Sequence, residues 1–138
     1  TVVCDELKIG QVLHNLMSNA VKFTPPDKKI TISFASQKLP VGNRRTDQET
    51  IPALTVKIRD EGMGIPEDEL ESIFNKFIQS SKTKTGAGGT GLGLSICQEI
   101  VKAHHGKIWA ENNPDGGATF SFILPYESVM TINQINMP

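Results

Sequence analysis

The sequence predicts one α+β domain, a two-layer sandwich in which helices cover one face of a mixed, mostly antiparallel sheet. The chain has 138 residues, close to the size of a single domain and too few for two well-packed cores. Its periodic segments occur in the order helix, strand, strand, helix, helix, strand, strand, without the regular alternation of a parallel sheet. We expect the domain to span residues 1–127 and to be followed by a polar tail at 128–138.

Residues 5–23 form the first predicted helix, because apolar residues recur there at three- and four-residue spacing. The apolar positions are Ile9, Val12, Leu13, Leu16, Met17, Ala20 and Val21. A polar stripe lies within about one quadrant of the same helix and consists of Lys8, Gln11, Asn15, Ser18, Asn19 and Lys22. Such a stripe either faces solvent or lies along a polar ligand.

Two strands are predicted next, at 30–36 and 54–60, because apolar and polar residues alternate in both. A polar connection at 38–52 separates them. Asp60 has the same parity as the apolar residues of its strand, so its carboxylate is expected to point inward.

The second half begins with a predicted short helix from Pro66 to about Phe77, since a proline followed by acidic residues is typical of a helix start. Residues 80–90 contain no large apolar side chain and are expected to be mobile. A helix at 92–105 follows, with Gly106 as its C-terminal cap. The last predicted element is a hairpin of strands 107–111 and 118–124.

Composition excludes several classes of function. The net charge of −1 provides no basic field for nucleic acid. Cys4 and Cys97 lie far apart and lack nearby metal-ligating residues, so we expect neither a disulfide framework nor a zinc site, and a reducing compartment fits better. No run of about 18 apolar residues is present, so we expect no direct membrane contact within this chain.

Two features indicate nucleotide chemistry. Five of the twelve glycines lie between Gly86 and Gly93, just before a predicted helix, where backbone N–H groups can surround a phosphate. A flexible surface hinge is the alternative. The dinucleotide-binding fingerprint is excluded because no strand precedes this loop, and the Walker A motif is excluded because Leu92 stands in place of its lysine.

Asp60 is the second feature. An inward carboxylate requires a hydrogen-bond donor, and the exocyclic amine of a purine is a suitable one. Gly62 and Gly64 would let the purine ring and an ordered water approach the backbone. The alternative is that Asp60 caps its own turn.

Five motifs in order resemble those of the ATP-binding catalytic domain of two-component sensor histidine kinases, whose Bergerat fold is shared with gyrase-type ATPases. The resemblance covers residues 5–125. The motifs are an N box at Gln11–Thr24, glycine boxes at Asp60–Gly64, Gly89–Leu94 and Gly116–Phe120, and an F box at Phe74–Phe77.

The resemblance implies ATP and Mg²⁺ as cofactors and assigns roles to individual residues. It implies that Asn19 is a magnesium ligand, that Asn15 and Lys22 lie beside the phosphates, and that Asp60 accepts the adenine amine. Asn15, Asn19 and Lys22, all in the first predicted helix, are the candidate catalytic residues. The further candidate ATP-binding residues are Gly62, Gly64, Ile65, Lys76, Phe77, Gly89, Thr90, Gly91, Leu92, Gly93, Leu94 and Thr119, with a lysine of the lid, Lys82 or Lys84.

Asn15 favours phosphoryl transfer to a protein. The related ATPases carry a water-activating glutamate four residues before the magnesium asparagine, and an amide there has no useful basicity. We expect a cytoplasmic protein-histidine kinase domain with a mobile ATP lid at 66–90. Its γ-phosphoryl would pass to a histidine on a separate dimerisation domain and then to a response regulator receiver domain.

The acceptor histidine is expected to lie outside this chain, so the chain alone should not autophosphorylate. Three alternatives stay open. These are a nucleotide-sensing interaction module, a serine- or dehydrogenase-directed kinase of the same fold, and a slow ATPase.

Overall fold

The computed structural model describes residues 6–40, 50–75 and 93–126. Its helices and strands are α1 (Glu6–Phe23), β1 (Ile30–Pro40), β2 (Thr50–Asp60), α2 (Gly93–Ala103), β3 (Lys107–Asn112) and β4 (Ala118–Pro125). The four described strands form one sheet in the order β1-β2-β4-β3, and every pairing is antiparallel. The predicted α+β class is confirmed. The predicted tail at 128–138 lies outside the described residues.

The core lies between the two helices and one face of the sheet. The apolar stripe of α1 is buried at Ile9, Val12, Leu16 and Ala20, as its periodicity predicts, but Val21, which was predicted to belong to it, is 63% exposed. Across the sheet, Val56 of β2 pairs with Phe122 of β4, and Ile58 pairs with Phe120. All four side chains are buried in one cluster with the helices. Burial of each large side chain stabilises the fold by about 1.5–3 kcal/mol.

The first hairpin is longer than predicted. β1 continues to Pro40 and β2 starts at Thr50, with these two residues paired, so the predicted connection at 38–52 is wrong at both ends. An edge strand can extend through polar residues because their side chains point into water. Neither described helix covers this edge, since Phe34 remains 65% exposed.

The predicted helix from Pro66 to Phe77 is wrong. Two separate 3₁₀ turns, Glu67–Glu69 and Ser72–Phe74, occupy its described part. The N–H groups of Leu70 and Asn75 bond to carbonyls three residues earlier, as in 3₁₀ turns, and Ile73 and Phe74 are both buried in the second turn. The ring of Phe74 meets that of Phe120 edge to face, at a centroid distance of 6.2 Å.

The start of the predicted lid is therefore anchored to the core through Ile73 and Phe74. The glycine-rich part of the lid, and with it the predicted mobility of residues 80–90, lies outside the described residues.

The C-terminal cap of α2 differs from the prediction in one respect. The N–H of Gly106 donates to the Val101 carbonyl at 2.9 Å, but the residue in the left-handed conformation is His105, with φ at 63°. Gly106 is required for packing, because a Cβ there would lie 2.0 Å from the carbonyl oxygen of Ile123 in β4.

In the described ranges, no helix combines the length and apolarity needed to cross a bilayer.

Candidate functional site

Asp60 is the last residue of β2, and only 7% of it is exposed. Its Oδ1 accepts hydrogen bonds from the backbone N–H of Gly62 at 2.9 Å and of Ala118 at 3.1 Å. No donor among the described residues bonds to Oδ2. The predicted inward orientation is confirmed. One carboxylate oxygen caps the turn, and the second is left without a donor from the described part of the protein.

The turn after Asp60 lies tightly against the end of α1. A Cβ on Gly62 would lie 2.4 Å from the carbonyl oxygen of Phe23, so that glycine makes room for the protein's own backbone. The structure thus gives Gly62 a packing role of its own, and the approach of a purine ring to Gly62 stays a prediction. Gly64 has φ at +74°, a conformation that side chains rarely adopt.

Two consecutive asparagines hold this turn from the end of β3. Asn112 bonds both polar groups of the Ile65 peptide: its Oδ1 accepts from the N–H at 2.8 Å, and its Nδ2 donates to the carbonyl at 2.6 Å. Asn113 Nδ2 donates to the Asp60 carbonyl at 3.0 Å, and its Oδ1 accepts from the Thr119 hydroxyl at 2.5 Å. In the sequence, both asparagines lie only in the connection between the two predicted strands of the second hairpin.

The third glycine box packs directly on Asp60. Gly117 has φ at +82°, and a Cβ there would lie 2.1 Å from the Asp60 carbonyl oxygen. Arg59 of β2 and Asp115, between β3 and β4, form an exposed ion pair at 2.5 Å. The buried carboxylate is thus enclosed by two turns that are far apart in sequence.

The polar stripe of α1 faces the start of α2. Asn15 is half-buried, and its Nδ2 donates to the Gly93 carbonyl across a long 3.5 Å. Asn19 lies one turn further along, half-buried, and its amide makes no hydrogen bond to the described residues. Lys22 is exposed, with its Nζ 5.9 Å from the centroid of the Phe23 ring.

The remaining candidate residues are only partly described. Ile65 is buried, and its peptide is bonded by Asn112. Thr119 is buried, with its hydroxyl on Asn113. Gly93 is exposed at the start of α2, and Leu94 packs against the core. Lys76, Phe77, Lys82, Lys84, Gly89, Thr90, Gly91 and Leu92 lie outside the described residues.

Cys97 of α2 is buried beneath the polar stripe, with its Sγ 3.9 Å from the Val12 carbonyl. Burial raises the pKa of this thiol, and a hydrogen bond with Asn15 opposes part of that rise. The thiol is free, and Cys4 lies outside the described residues.

Within residues 6–40, 50–75 and 93–126, no three histidine, cysteine or acidic side chains cluster as a metal site. The half-buried amide of Asn19 fits a magnesium ion that takes most of its ligands from phosphates and water, because one protein oxygen then suffices.

The model of the family described as histidine kinase-, DNA gyrase B- and HSP90-like ATPase matches residues 4–128. The chain belongs to this family. Sensor histidine kinase WalK of Bacillus subtilis (strain 168) is 39% identical over 127 residues, which are 91% of this chain and 19% of that kinase. The chain thus spans about a fifth of the length of WalK.

Solved structures agree with this assignment to the histidine kinase-type ATPases. The catalytic domain of histidine kinase ThkA is 36% identical, with a TM-score of 0.70 over 91% of this chain and 72% of that one. Full-length ShkA in complex with AMPPNP is 26% identical, with a TM-score of 0.67 over 91% of this chain and 23% of that one. The chain corresponds to the catalytic domain of a sensor histidine kinase, and the predicted Bergerat fold is confirmed.

Proposed function

We propose that this chain binds Mg-ATP and donates the γ-phosphoryl group to a histidine on a separate dimerisation domain of a sensor histidine kinase. One observation carries the proposal. The buried carboxylate of Asp60 has one oxygen held by two backbone N–H groups, while the other has no donor from the described residues. Oδ2 is not one of the fully buried side-chain atoms that lack a partner in the described part of the chain, so a ligand can reach it, and the adenine amine is a suitable donor.

In this proposal, the adenine ring of ATP lies against the turn that follows Asp60. Gly64 and the exposed Met63 line the outer side of that turn, and the Thr119 hydroxyl can still accept a hydrogen bond while it donates to Asn113. The complex of the related ShkA with AMPPNP, an ATP analogue, supports a nucleotide at this fold.

The phosphates lie between α1 and the start of α2. Asn15, Asn19 and Lys22 project from one side of α1, and the N-terminus of α2 contributes partial positive charge. Asn19 would hold Mg²⁺ through its amide oxygen. When bound, the ion neutralises charge on the phosphate oxygens. Lys76 and residues 89–94 complete the proposed phosphate contacts.

The proposed reaction is transfer to an imidazole rather than hydrolysis. The amide of Asn15 can orient an incoming group, but it cannot remove a proton from water. A nitrogen of the acceptor histidine attacks the γ-phosphorus in line, an N–P bond forms, and the bond to the oxygen of ADP breaks. A receiver domain of a response regulator would then take the phosphoryl group.

We place the catalytic domain itself at residues 1–127, and we propose that it belongs to a cytoplasmic region of the kinase.

Phosphoryl transfer to a purified partner tests the proposal. The chain is incubated with γ-labelled Mg-ATP and the histidine-bearing helical hairpin of the same kinase, and a hairpin whose histidine is replaced by alanine serves as the control. We expect acid-labile, alkali-stable label on the intact hairpin only. ATP binding without transfer would favour the nucleotide-sensing alternative. A rapid ATPase rate that survives Asn15→Ala would contradict the role of Asn15.

A further inference from the structure

We infer that Asn112 and Asn113, the asparagine pair, are positioning residues that set the preference of this site for an amino-purine over an oxo-purine. The inference rests on the proposed function and concerns two residues that lie outside the five motifs named above. Neither side chain is argued to touch the nucleotide. Both act through the turn that carries Asp60.

Asn113 ties the end of β2 to the start of β4. Its Nδ2 donates to the carbonyl of Asp60 at 3.0 Å and to that of Gly116 at 3.3 Å. Its Oδ1 accepts from the hydroxyl of Thr119. Because donor and acceptor atoms of the amide are both in use, the side chain has one orientation, and the peptide plane of Asp60 is held with it.

Asn112 holds the other end of the same turn. Its amide faces the Ile65 peptide and makes two hydrogen bonds, at 2.8 Å and 2.6 Å, in the manner of a paired strand. The turn from Asp60 to Ile65 is therefore fastened at both ends by neighbouring side chains. It contains Gly64 at a positive φ, and a glycine there is otherwise free to change conformation.

Fastening the turn determines which atom of Asp60 is presented to a ligand. The two donors to Oδ1 come from Gly62 inside the turn and from Ala118 on the hairpin. These two donors fix the rotation of the carboxylate as long as the turn after Asp60 and the β3–β4 hairpin stay at the same distance from each other. Asn113 holds that distance, because its side chain bonds to the carbonyls of Asp60 and Gly116. Oδ2 then remains a fixed acceptor.

Base selectivity follows from this arrangement. A fixed acceptor favours the amine at position 6 of adenine and repels the carbonyl oxygen of hypoxanthine at the same position. A carboxylate free to rotate or to take up a bridging water discriminates less, because water can donate to one group and accept from the other.

The experiment measures dissociation constants for ATP and inosine triphosphate by calorimetry in the whole chain. Variants are Asn113→Ala, Asn113→Asp and, as matched control, Asp115→Asn. The control changes Asp115, on the same hairpin as Asn113, and weakens its ion pair with Arg59 of β2, but it leaves the Asp60 carbonyl bonded. Asn113→Asp keeps an acceptor for Thr119 and loses the donor to Asp60, and it decides the question if the alanine variant does not fold.

We expect Asn113→Ala to weaken ATP about three- to tenfold, with a smaller change for inosine triphosphate, so that the ratio of the two constants falls. Asp115→Asn should keep the wild-type ratio. Equal weakening of both nucleotides by the Asn113 variants would show a purely structural role and overturn the inference. Failure of the wild-type chain to bind either nucleotide would instead refute the proposed function.

Discussion

Replacement of Asp60 by asparagine isolates the one atom on which the proposed base contact depends. Asparagine has the same shape, and its carbonyl oxygen can still accept from Gly62 and Ala118, which bond to Asp60 at 2.9 and 3.1 Å. The second oxygen becomes an NH₂ group. The variant should therefore stay folded while the acceptor Oδ2 is replaced by a donor.

The size of the effect follows from the charge and burial of the carboxylate. Asp60 is only 7% exposed, so little of its carboxylate reaches water besides the oxygen that would bond to the base. A hydrogen bond to a charged group contributes about 1.5–3 kcal/mol, which corresponds to a roughly ten- to hundredfold weaker affinity for ATP. The 6-oxo group of GTP accepts from the new amide, so GTP should bind no worse than it does to the wild type.

Calorimetric titration with a non-hydrolysable ATP analogue and with GTP measures both affinities. Thermal unfolding shows whether Asp60→Asn remains folded, and Asp115→Asn provides the same chemical change at an exposed position of the adjacent hairpin. A folded Asp60→Asn variant that binds the ATP analogue as tightly as the wild type would refute the assignment of Asp60 to the base.

Three further predictions test the metal, the packing and the buried thiol. Asn19→Ala should abolish the Mg²⁺ dependence of nucleotide binding in calorimetry while leaving the thermal midpoint nearly unchanged, because Asn19 makes no hydrogen bond to the described residues. Gly117→Ala should lower the thermal midpoint and ATP affinity together, because its Cβ would lie 2.1 Å from the Asp60 carbonyl oxygen and its φ is +82°. Burial raises the pKa of Cys97, so the folded state keeps a proton that the unfolded chain releases above pH 9.0. The free energy of unfolding from denaturant titration should therefore be independent of this thiol below that pH and fall above it, and Cys97→Ala should remove that fall.

Each of these three predictions has a control variant or a result that would contradict it. Ser18→Ala changes an exposed polar residue of α1 and should keep the Mg²⁺ dependence; loss there too would deny Asn19 its specific role. Gly10→Ala meets no atom within 4 Å and should be tolerated, whereas an equally tolerated Gly117→Ala would contradict the packing on Asp60. An alkaline loss of stability that persists in Cys97→Ala would assign it to other groups.

Periodicity alone predicted the elements that are amphipathic along their own length. The stripe of α1 buries Val12 and Leu16 completely, and the alternation in β2 correctly sends Asp60 inward. These features depend on residues two to four positions apart, so the pattern contains all the information needed. Alternation also predicted the second hairpin, but every residue of β4 is buried, so its polar residues Thr119 and Ser121 do not face water as the alternation implies.

Only the tertiary structure decided how the two turns around Asp60 meet. Asn113 bonds to a carbonyl 53 positions away, and Gly117 is required because another backbone occupies the space of its Cβ. The same applies to Gly106 beside β4 and to the paired 3₁₀ turns that bury Ile73 and Phe74. A sequence pattern reports the conformation that a segment prefers by itself. Close approach between distant segments arises only when the whole core packs, and there the neighbouring backbone dictates which side chain fits.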